Sequence, residues 1–251
     1  VTDSLLPPAE TDTYFRIEGR HAVRAALGSS FEVVVLIDDE ANPDPEIQSL
    51  SHRVRGPVLK WRRDALSEWL GFDYRRGVVA MAKKPERSLA EFAAQSEMKR
   101  VVVLDRLADP GNVGTIIRNA AAFGFDAAIC SSAGASPYNG KAVRASATAL
   151  FRLPVFVVDD WRAALAESAP ATVTVATCLA PDAMPLDAFV THSSESIAVV
   201  FGGEADGLSP EALAACTHRI TIPIDDSVES LNVASASAII LHALRKTRFV
   251  T

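Results

Sequence analysis

Apolar runs of single-strand length recur along the chain, separated by segments whose apolar positions follow helical spacing. The first runs are Glu32–Asp38 (EVVVLID) and Gly77–Ala82 (GVVAMA), with helical patterns at Gly19–Leu27 and Arg62–Leu70. Together they predict a small α/β unit over residues 13–85, behind a polar tail at 1–12. Lys83-Lys84-Pro85-Glu86-Arg87 is a charged break, and Ser88–Met98 reads as a short helix, which puts a linker at 86–97. Over residues 98–251 the alternation becomes regular. Strands are predicted at Arg100–Asp105, Asp126–Cys130, Pro154–Val158, Thr172–Thr177, Ile197–Phe201 and Arg219–Ile224. Helices are predicted at Val113–Phe123, Asn139–Leu150, Trp161–Ser168, Pro210–Cys216 and Leu231–Arg248. Strands that are apolar on both faces and alternate with helices imply an α/β fold with a mostly parallel sheet covered on each side. Ligands in such sheets lie outside the carboxyl ends of the strands, so the loops there are where chemistry is expected.

Three of these loops carry polar groups. The first runs from Asp105 to Ala120 (DRLADPGNVGTIIRNA). Pro110-Gly111 makes a turn and Asn112 suits the N-cap of the next helix. Helical spacing puts Val113, Ile116, Ile117, Ala120 and Phe123 on one face. Arg118 falls nearly opposite, beside Thr115 and Ala122, as an ordinary solvated arginine would. The second loop, Gly202-Gly203-Glu204-Ala205-Asp206-Gly207-Leu208-Ser209-Pro210, has three glycines in six residues. That suits either a structural turn or close approach of backbone to a ligand. It lacks the G-x-G-x-x-G spacing of dinucleotide folds, and no GKS or GKT of a P-loop occurs in the chain. Ser209-Pro210-Glu211 has the form of a helix start. In the third loop a strand ends at Pro223, the acidic pair Asp225-Asp226 follows, and a long helix begins near Ser230, a candidate N-cap.

Charge modifies this picture. The 251-residue chain carries a net charge of −6, which by itself disfavours a nucleic-acid partner. Between His52 and Arg87, however, ten basic residues face four acidic ones, so this segment is +6 and the remainder −12. Trp61, Trp69, Phe72 and Tyr74 are interleaved with them. Such a stretch suits phosphate contacts and base stacking; a solvated surface over core aromatics is the alternative. Cys130, Cys178 and Cys216 are far apart and odd in number, with no CxxC, as expected of free thiols in a reducing cytoplasm. The five histidines show no metal-ligand spacing, so no metal is expected. No apolar run is long enough to span a membrane, and the first ten residues lack the basic start and apolar stretch of a signal peptide.

Taken together, N-x-G-x-x-x-R-N-A (112–120), G-x-E-x-x-G-L-S (202–209) and I-P-x6-S-L-N-V (222–233) resemble the three signature motifs of the SpoU (TrmH-like) branch of the SPOUT methyltransferases. The resemblance covers about residues 98–251. Lys141-Ala142-Val143-Arg144-Ala145-Ser146 through Phe151-Arg152-Leu153-Pro154 is similar to the family's helix between the first two motifs. Residues 14–85, with Glu18-Gly19-Arg20-His21-Ala22-Val23 and Arg76-Gly77-Val78-Val79-Ala80, resemble the RNA-binding domain that often precedes it. The resemblance implies a C-terminal SPOUT domain with a deep trefoil knot, S-adenosylmethionine (SAM) as cofactor, and a homodimer packed through the C-terminal domain. It also implies methyl transfer to a ribose 2′-oxygen of RNA, with ribosomal RNA favoured and transfer RNA possible. Carried over by position, Asn112, Arg118, Glu204, Ser230 and Asn232 match polar active-site residues. Gly202, Gly203, Ile222, Pro223 and Leu231 match cofactor contacts, with Thr177 lining the same pocket. Asp226 stands where the family usually has glycine, a position that suits a positive backbone angle.

The implied reaction is an in-line displacement in which a ribose oxygen attacks the methyl carbon of a sulfonium. Arginine stays protonated in nearly all settings, so Arg118 is expected to fix an RNA phosphate and stabilise the developing alkoxide. Ser230 and Asn232 are expected to orient the ribose or shape the loop. Glu204 suits a structural role, accepting backbone N–H bonds, as well as a catalytic one. Two other functions compete: an RNA-binding or ribosome-assembly protein on the same fold without catalysis, and a nucleotide-dependent oxidoreductase, which the missing G-x-G-x-x-G disfavours.

Overall fold

The computed structural model describes residues 10–75, 77–96, 98–190 and 196–245. Residues 1–9 of the expected tail, Arg76 of the basic segment and positions 246–248 of the expected last helix lie outside the described residues. The chain falls into two compact units. One holds the described residues up to Glu86 together with Tyr138–Arg152; the other holds those of Arg87–Pro137 and from Leu153 onward.

The first unit runs β1 (Tyr14–Glu18), α1 (Arg20–Leu27), β2 (Val33–Asp39), α2 (Pro45–Leu50), β3 (Val58–Trp61), α3 (Arg63–Leu70) and β4 (Val78–Lys83). The sheet order is β1-β4-β2-β3. β4 is antiparallel to β1 and β2, and β3 pairs parallel with β2. β1, α2 and β3 are additions to the elements read from sequence. β1 buries Phe15 and Ile17 and leaves Tyr14 and Arg16 half-buried, a period-two pattern too short to form an apolar run. β3 is an edge strand whose Val58 and Lys60 are exposed. α2 begins at Pro45 and is capped by Asp44, whose carboxylate accepts from the Glu46 and Ile47 N–H groups at 3.0 and 3.2 Å. Val35, Ile37, Val79 and Met81 pack with Leu66 and Tyr74, whose hydroxyl donates to the Val78 carbonyl at 2.6 Å. Trp61 and Trp69 meet edge to face and pack against this core. Of the four aromatics of the basic segment, Tyr74 thus belongs to the core, Trp61 and Trp69 are half-buried against it, and Phe72 is exposed.

The second unit begins with α4 (Leu89–Gln95), β5 (Arg100–Leu104), α5 (Pro110–Ala122) and β6 (Ala127–Ser131). The chain then returns to the first unit, where α6 (Gly140–Ala145) packs on β1. The single helix expected over Asn139–Leu150 is interrupted: Ala147 and Thr148 have φ of 45° and 77°, and a 3-10 turn follows at Ala149–Phe151. Aromatic packing holds this excursion. The Tyr138 ring lies 5.0 Å from Phe15, and Phe151 lies 5.2 Å from Phe31. The chain then continues through β7 (Val155–Val158), α7 (Trp161–Ser168), β8 (Val173–Thr177), β9 (Met184–Pro185), α8 (Leu186–Val190), β10 (Ile197–Phe201), α9 (Pro210–Ala215), β11 (His218–Thr221) and α10 (Val233–Ala243). β11 is shorter than the strand expected at Arg219–Ile224, and α10 starts two residues later than expected.

These strands form a seven-stranded sheet in the order β7-β6-β5-β10-β8-β11-β9. Every pairing is parallel. β10 is central and wholly buried, which explains why its five residues are all apolar. Val101, Val103, Ala198 and Val200 point toward Leu89, Trp161 and Leu165 of α4 and α7. Val102 and Leu104 point to the other face, where α5 packs and α10 packs on α5. From β5 the chain steps outward to β6 and β7, while β10 lies on β5's other side, next to β8. The direction of the winding therefore switches between β5 and β10, which is where open α/β sheets place their ligands.

Cys130, Cys178 and Cys216 are free, and burial pushes the Cys130 thiol up to about 12. No helix among the described residues is long and apolar enough to cross a membrane. Phe15 has no exposed surface and joins the Phe31 and Tyr138 rings. Phe15→Ala is expected to lower stability by about 3–5 kcal/mol, against near zero for the exposed Phe72→Ala. Urea unfolding of both variants checks this, and equal losses would contradict the packing described.

Candidate active site at the β5–β10 strand ends

α5 starts one residue after Asp109, whose carboxylate accepts from the Gly111 N–H at 2.7 Å, with Pro110 at the first helical position. Asp109, not Asn112, is the N-cap. Asn112 sits in the first turn instead and is buried. The expected stripe is present: Val113, Ile116, Ile117 and Ala120 are buried, Phe123 is half-buried, and Arg118 is exposed opposite them. Among the described residues the Arg118 side chain makes no hydrogen bond or ion pair.

The loop after β10 folds back on itself. Gly203 and Gly207 exchange backbone hydrogen bonds at 3.0 and 3.1 Å, and Gly207 has φ +65°. A Cβ on Gly202 would lie 2.3 Å from the Gly207 carbonyl carbon, so no side chain fits there. This loop presents Glu204 to the loop after β5. The carboxylate accepts from the Ala108 N–H at 3.0 Å, the Asp109 N–H at 3.2 Å and Asn112 Nδ2 at 2.8 Å. Asn112 Oδ1 in turn accepts from Asn232 Nδ2 at 3.3 Å. Asn232 is the N-cap of α10, its Oδ1 accepting from the Ala234 and Ser235 N–H groups at 2.9 and 3.3 Å. Each amide orientation is forced. A carboxylate only accepts, so Asn112 must donate to it, and Asn232 must spend its oxygen on the helix. Burial pushes the Glu204 carboxyl up, but the Asn112 and backbone donors outweigh this and hold it below the ordinary range.

Ser230 is exposed, makes no hydrogen bond among the described residues, and is not the helix cap expected of it. Thr177 ends β8, Gly202 and Gly203 follow β10, and Ile222 and Pro223 follow β11; these are three adjacent parallel strands, so their loops leave one edge of the sheet. The Thr177 hydroxyl donates to the Val200 carbonyl at 3.0 Å and so ties two of those strands together. Leu231 is 37% exposed just before α10. Asp226 does not have a positive φ, so the aspartate at the usual glycine position needs no special backbone. Beside it, hydrogen bonds from Ser227 hold the Asp225 carboxyl below its ordinary range.

Residues 99–242 match the SpoU rRNA Methylase family. The chain belongs to that family. A Bacillus subtilis relative, the 23S rRNA (guanosine(2553)-2′-O)-methyltransferase RlmP, is 30% identical over 232 residues, covering 92% of this chain and 88% of its own. An uncharacterized tRNA/rRNA methyltransferase of Mycobacterium bovis is 31% identical over 233 residues, 90% of this chain and 78% of the relative. The crystal structure of the SpoU methyltransferase AviRb from Streptomyces viridochromogenes, in complex with AdoMet, is similar with a TM-score of 0.79 at 28% identity, covering 92% of this chain and 88% of that one.

In this SpoU family member one further residue joins the site region. Asn119 Nδ2 donates to Ser237 Oγ at 2.9 Å and to the Ala234 carbonyl at 3.2 Å, locking α5 to α10. Its place beside Arg118 in the first motif was the available signal, but a polar residue on a helix does not announce its partner.

Two tests follow from the geometry. Because the Glu204 carboxyl is depressed, its stabilisation is complete above the ordinary glutamate value and is lost as pH falls through the lower folded value. Glu204→Gln is therefore expected to be less stable than wild type at neutral pH, with the gap closing below about pH 4. Urea midpoints from neutral to acid check this; a gap independent of pH would show that the charge does not hold the loops. Gly202→Ala is expected to displace the 203–207 turn and cost more than about 1 kcal/mol. The same unfolding measurement reads it.

Proposed function

We propose that this SpoU family member transfers a methyl group from SAM to a ribose 2′-hydroxyl of structured RNA, ribosomal RNA first. The observation that carries the reading is the meeting of Asn112, Glu204 and Asn232. Separated by 92 and 120 residues along the chain, they form one hydrogen-bonded relay at the β5–β10 switch point, at the start of the helix that bears the unpaired Arg118. The names of the relatives, 23S rRNA and tRNA/rRNA methyltransferases, favour RNA as substrate, and the AdoMet-bound neighbour favours SAM as cofactor.

The strand ends suit SAM. Backbone of the tightly folded Gly202–Gly203 segment, the half-buried Ile222, Pro223 and the partly exposed apolar Leu231 would hold it, and Thr177 would keep the β8 and β10 ends in register. The acidic Asp225-Asp226 loop suits a cationic sulfonium. When bound, SAM supplies an electrophilic methyl group. Arg118 carries a planar fork that matches a phosphate, so it would grip the RNA backbone and stabilise the 2′-oxygen as its proton leaves. Glu204, Asn112 and Asn232 are spent on one another and on backbone N–H groups. Their part is to hold the loops so that acceptor and donor meet in line.

The finer features of the reading are a trefoil knot in the loops after β8, β10 and β11, an RNA-binding role for the first unit, a homodimer and a cytoplasmic location. The exposed apolar Val228, Leu231 and Ile239 on and before α10 favour the dimer. Three free cysteines favour a reducing compartment.

The test is transfer of labelled methyl from SAM to total RNA lacking the modification. Wild type is expected to place label in a ribose-methylated nucleotide. Arg118→Ala is expected to lose about 100-fold or more. Arg118→Lys, which keeps the charge without the fork, is expected to fall well below wild type, and full turnover in it would overturn the positioning role. SAM binding without transfer to any RNA would point instead to an RNA-binding protein on the same fold.

A further inference from the structure

A groove of about 900 Å³ opens in the first unit, well away in sequence from the three motifs. Four guanidinium groups line it: Arg20 at the start of α1, Arg63 at the start of α3, Arg75 before β4, and Arg144 on α6. Two of these come from the basic segment and two from outside it, so no stretch of sequence displays the cluster. From these residues we infer that the groove is a binding site for the phosphodiester backbone of RNA, reading phosphates rather than bases. The inference rests on the RNA reading above and adds to it which residues grip the substrate.

The balance of charge in the groove supports a polyanion. Its lining acids are Glu18 and Asp39, and both are buried and committed. Glu18 accepts from Arg16 at 2.9 Å and from Arg144 Nη1 at 3.1 Å. Arg16 neutralises Glu18, so the Arg144 charge is left for the groove while the carboxylate fixes where that arginine stands. Asp39 accepts from the Ala41 N–H at 3.0 Å. Arg20 donates to the Asn42 carbonyl at 2.9 Å and lies 3.9 Å from the Asp44 carboxylate, so it is oriented and partly compensated, and the groove's net positive charge rests chiefly on Arg63, Arg75 and Arg144. The Arg63 guanidinium has no hydrogen bond or ion pair among the described residues. Arg75 pairs only with the exposed Asp73, an ion pair of little worth that a phosphate can displace.

The walls explain the opening. Gly77 has φ +74°, and a Cβ there would sit 3.4 Å from Arg20 Nη2 and 3.7 Å from the Asp39 Cβ. Gly19 has φ +91° and donates its N–H to the Val78 carbonyl at 3.0 Å. Two bare backbone segments thus lie side by side beneath the arginines. The helix break at Ala147 and Thr148 completes the rim, and both residues line the groove. The volume is at the upper end of the roughly 300–1,000 Å³ usual for ligand pockets, but Val143 is the one larger aliphatic side chain in its lining and no Phe, Tyr or Trp joins it, unlike the aromatic-rich walls of a small-molecule site. The aromatics that would have stacked bases, Trp61, Trp69 and Tyr74, do not line the groove: Tyr74 is buried, and Trp61 and Trp69 pack half-buried against the same core. What remains are planar, always-charged forks, which suit phosphate oxygens and carry no base code.

The experiment is filter binding of protein-free 23S ribosomal RNA to the full chain between about 50 and 200 mM salt. The groove pair Arg63→Glu with Arg75→Glu is compared with a pair of equal charge change outside the groove, Arg53→Glu with Arg55→Glu. The groove pair is expected to lower affinity at least tenfold beyond the outside pair. It should also reduce the slope of log affinity against log salt by about 1.4–1.8, the value for two lost phosphate contacts. SAM binding by calorimetry and the urea midpoint should match wild type. Equal losses in the two pairs, or wild-type affinity in the groove pair, would overturn the groove while leaving the enzyme reading intact. No binding of RNA by wild type itself would overturn the RNA reading, and the groove with it.

Discussion

The catalytic unit depends on one carboxylate holding two diverging strand ends. β5 and β10 run side by side, and beyond their last residues the chain turns toward opposite halves of the sheet. Nothing in the ladder holds those turns together. Glu204 bridges them by accepting two backbone N–H groups and one amide from the loop after β5, and Asn112 passes the connection to the cap of α10. Each amide orientation is fixed by what it must donate to and accept from, so the relay has one arrangement. Three loops that a parallel sheet would leave independent become one rigid rim.

Below the relay the loops touch backbone to backbone. A side chain on Gly202 would enter the Gly207–Leu208 backbone, one on Gly203 would lie 3.1 Å from the Arg106 carbonyl oxygen, and one on Gly134 would lie 2.9 Å from that of Leu107. Arg106, between them, takes φ +56°, an uncommon conformation for a residue with a side chain. The chain leaves β5 through a strained residue because the surrounding backbone allows no wider path. Glycine in this second motif is thus needed for close packing of the protein on itself, whatever it also allows a ligand.

How much of this was legible follows from where the information sits. The alternation of strands and helices after residue 98 was readable, since β5, β6 and β10 are almost wholly buried and carry apolar runs. β1 and β3 were not, because short strands with Arg16 or Lys60 on them have no such run. The caps were half legible. In Asp109-Pro110-Gly111-Asn112 both Asp109 and Asn112 suit the role, and Pro110 at the first helical position selects Asp109. In Ser230-Leu231-Asn232 the choice falls on Asn232, which also has to reach Asn112, a contact no local rule contains. The helix 140–145 was visible, but its attachment to the first unit depends on Tyr138 and Phe151 meeting Phe15 and Phe31 across more than a hundred residues. The groove arginines were hidden for the same reason.

The structure therefore divides its polar residues by task. Those of the relay are spent on geometry: Glu204, Asn112 and Asn232 satisfy one another and the backbone. Asn119 is spent in the same way, on α10. Arg118, one position before it, is left on the outer face of α5 without a partner. A guanidinium that was paired in the free protein would have to break that pair before it met a phosphate. One held on a helix clamped at both its first and its last turn needs no such exchange, and its helix is ordered in advance. Rigidity in the relay and availability of Arg118 are then two consequences of one arrangement: neutral amides and a carboxylate absorb all the structural hydrogen bonding, so the cation need not.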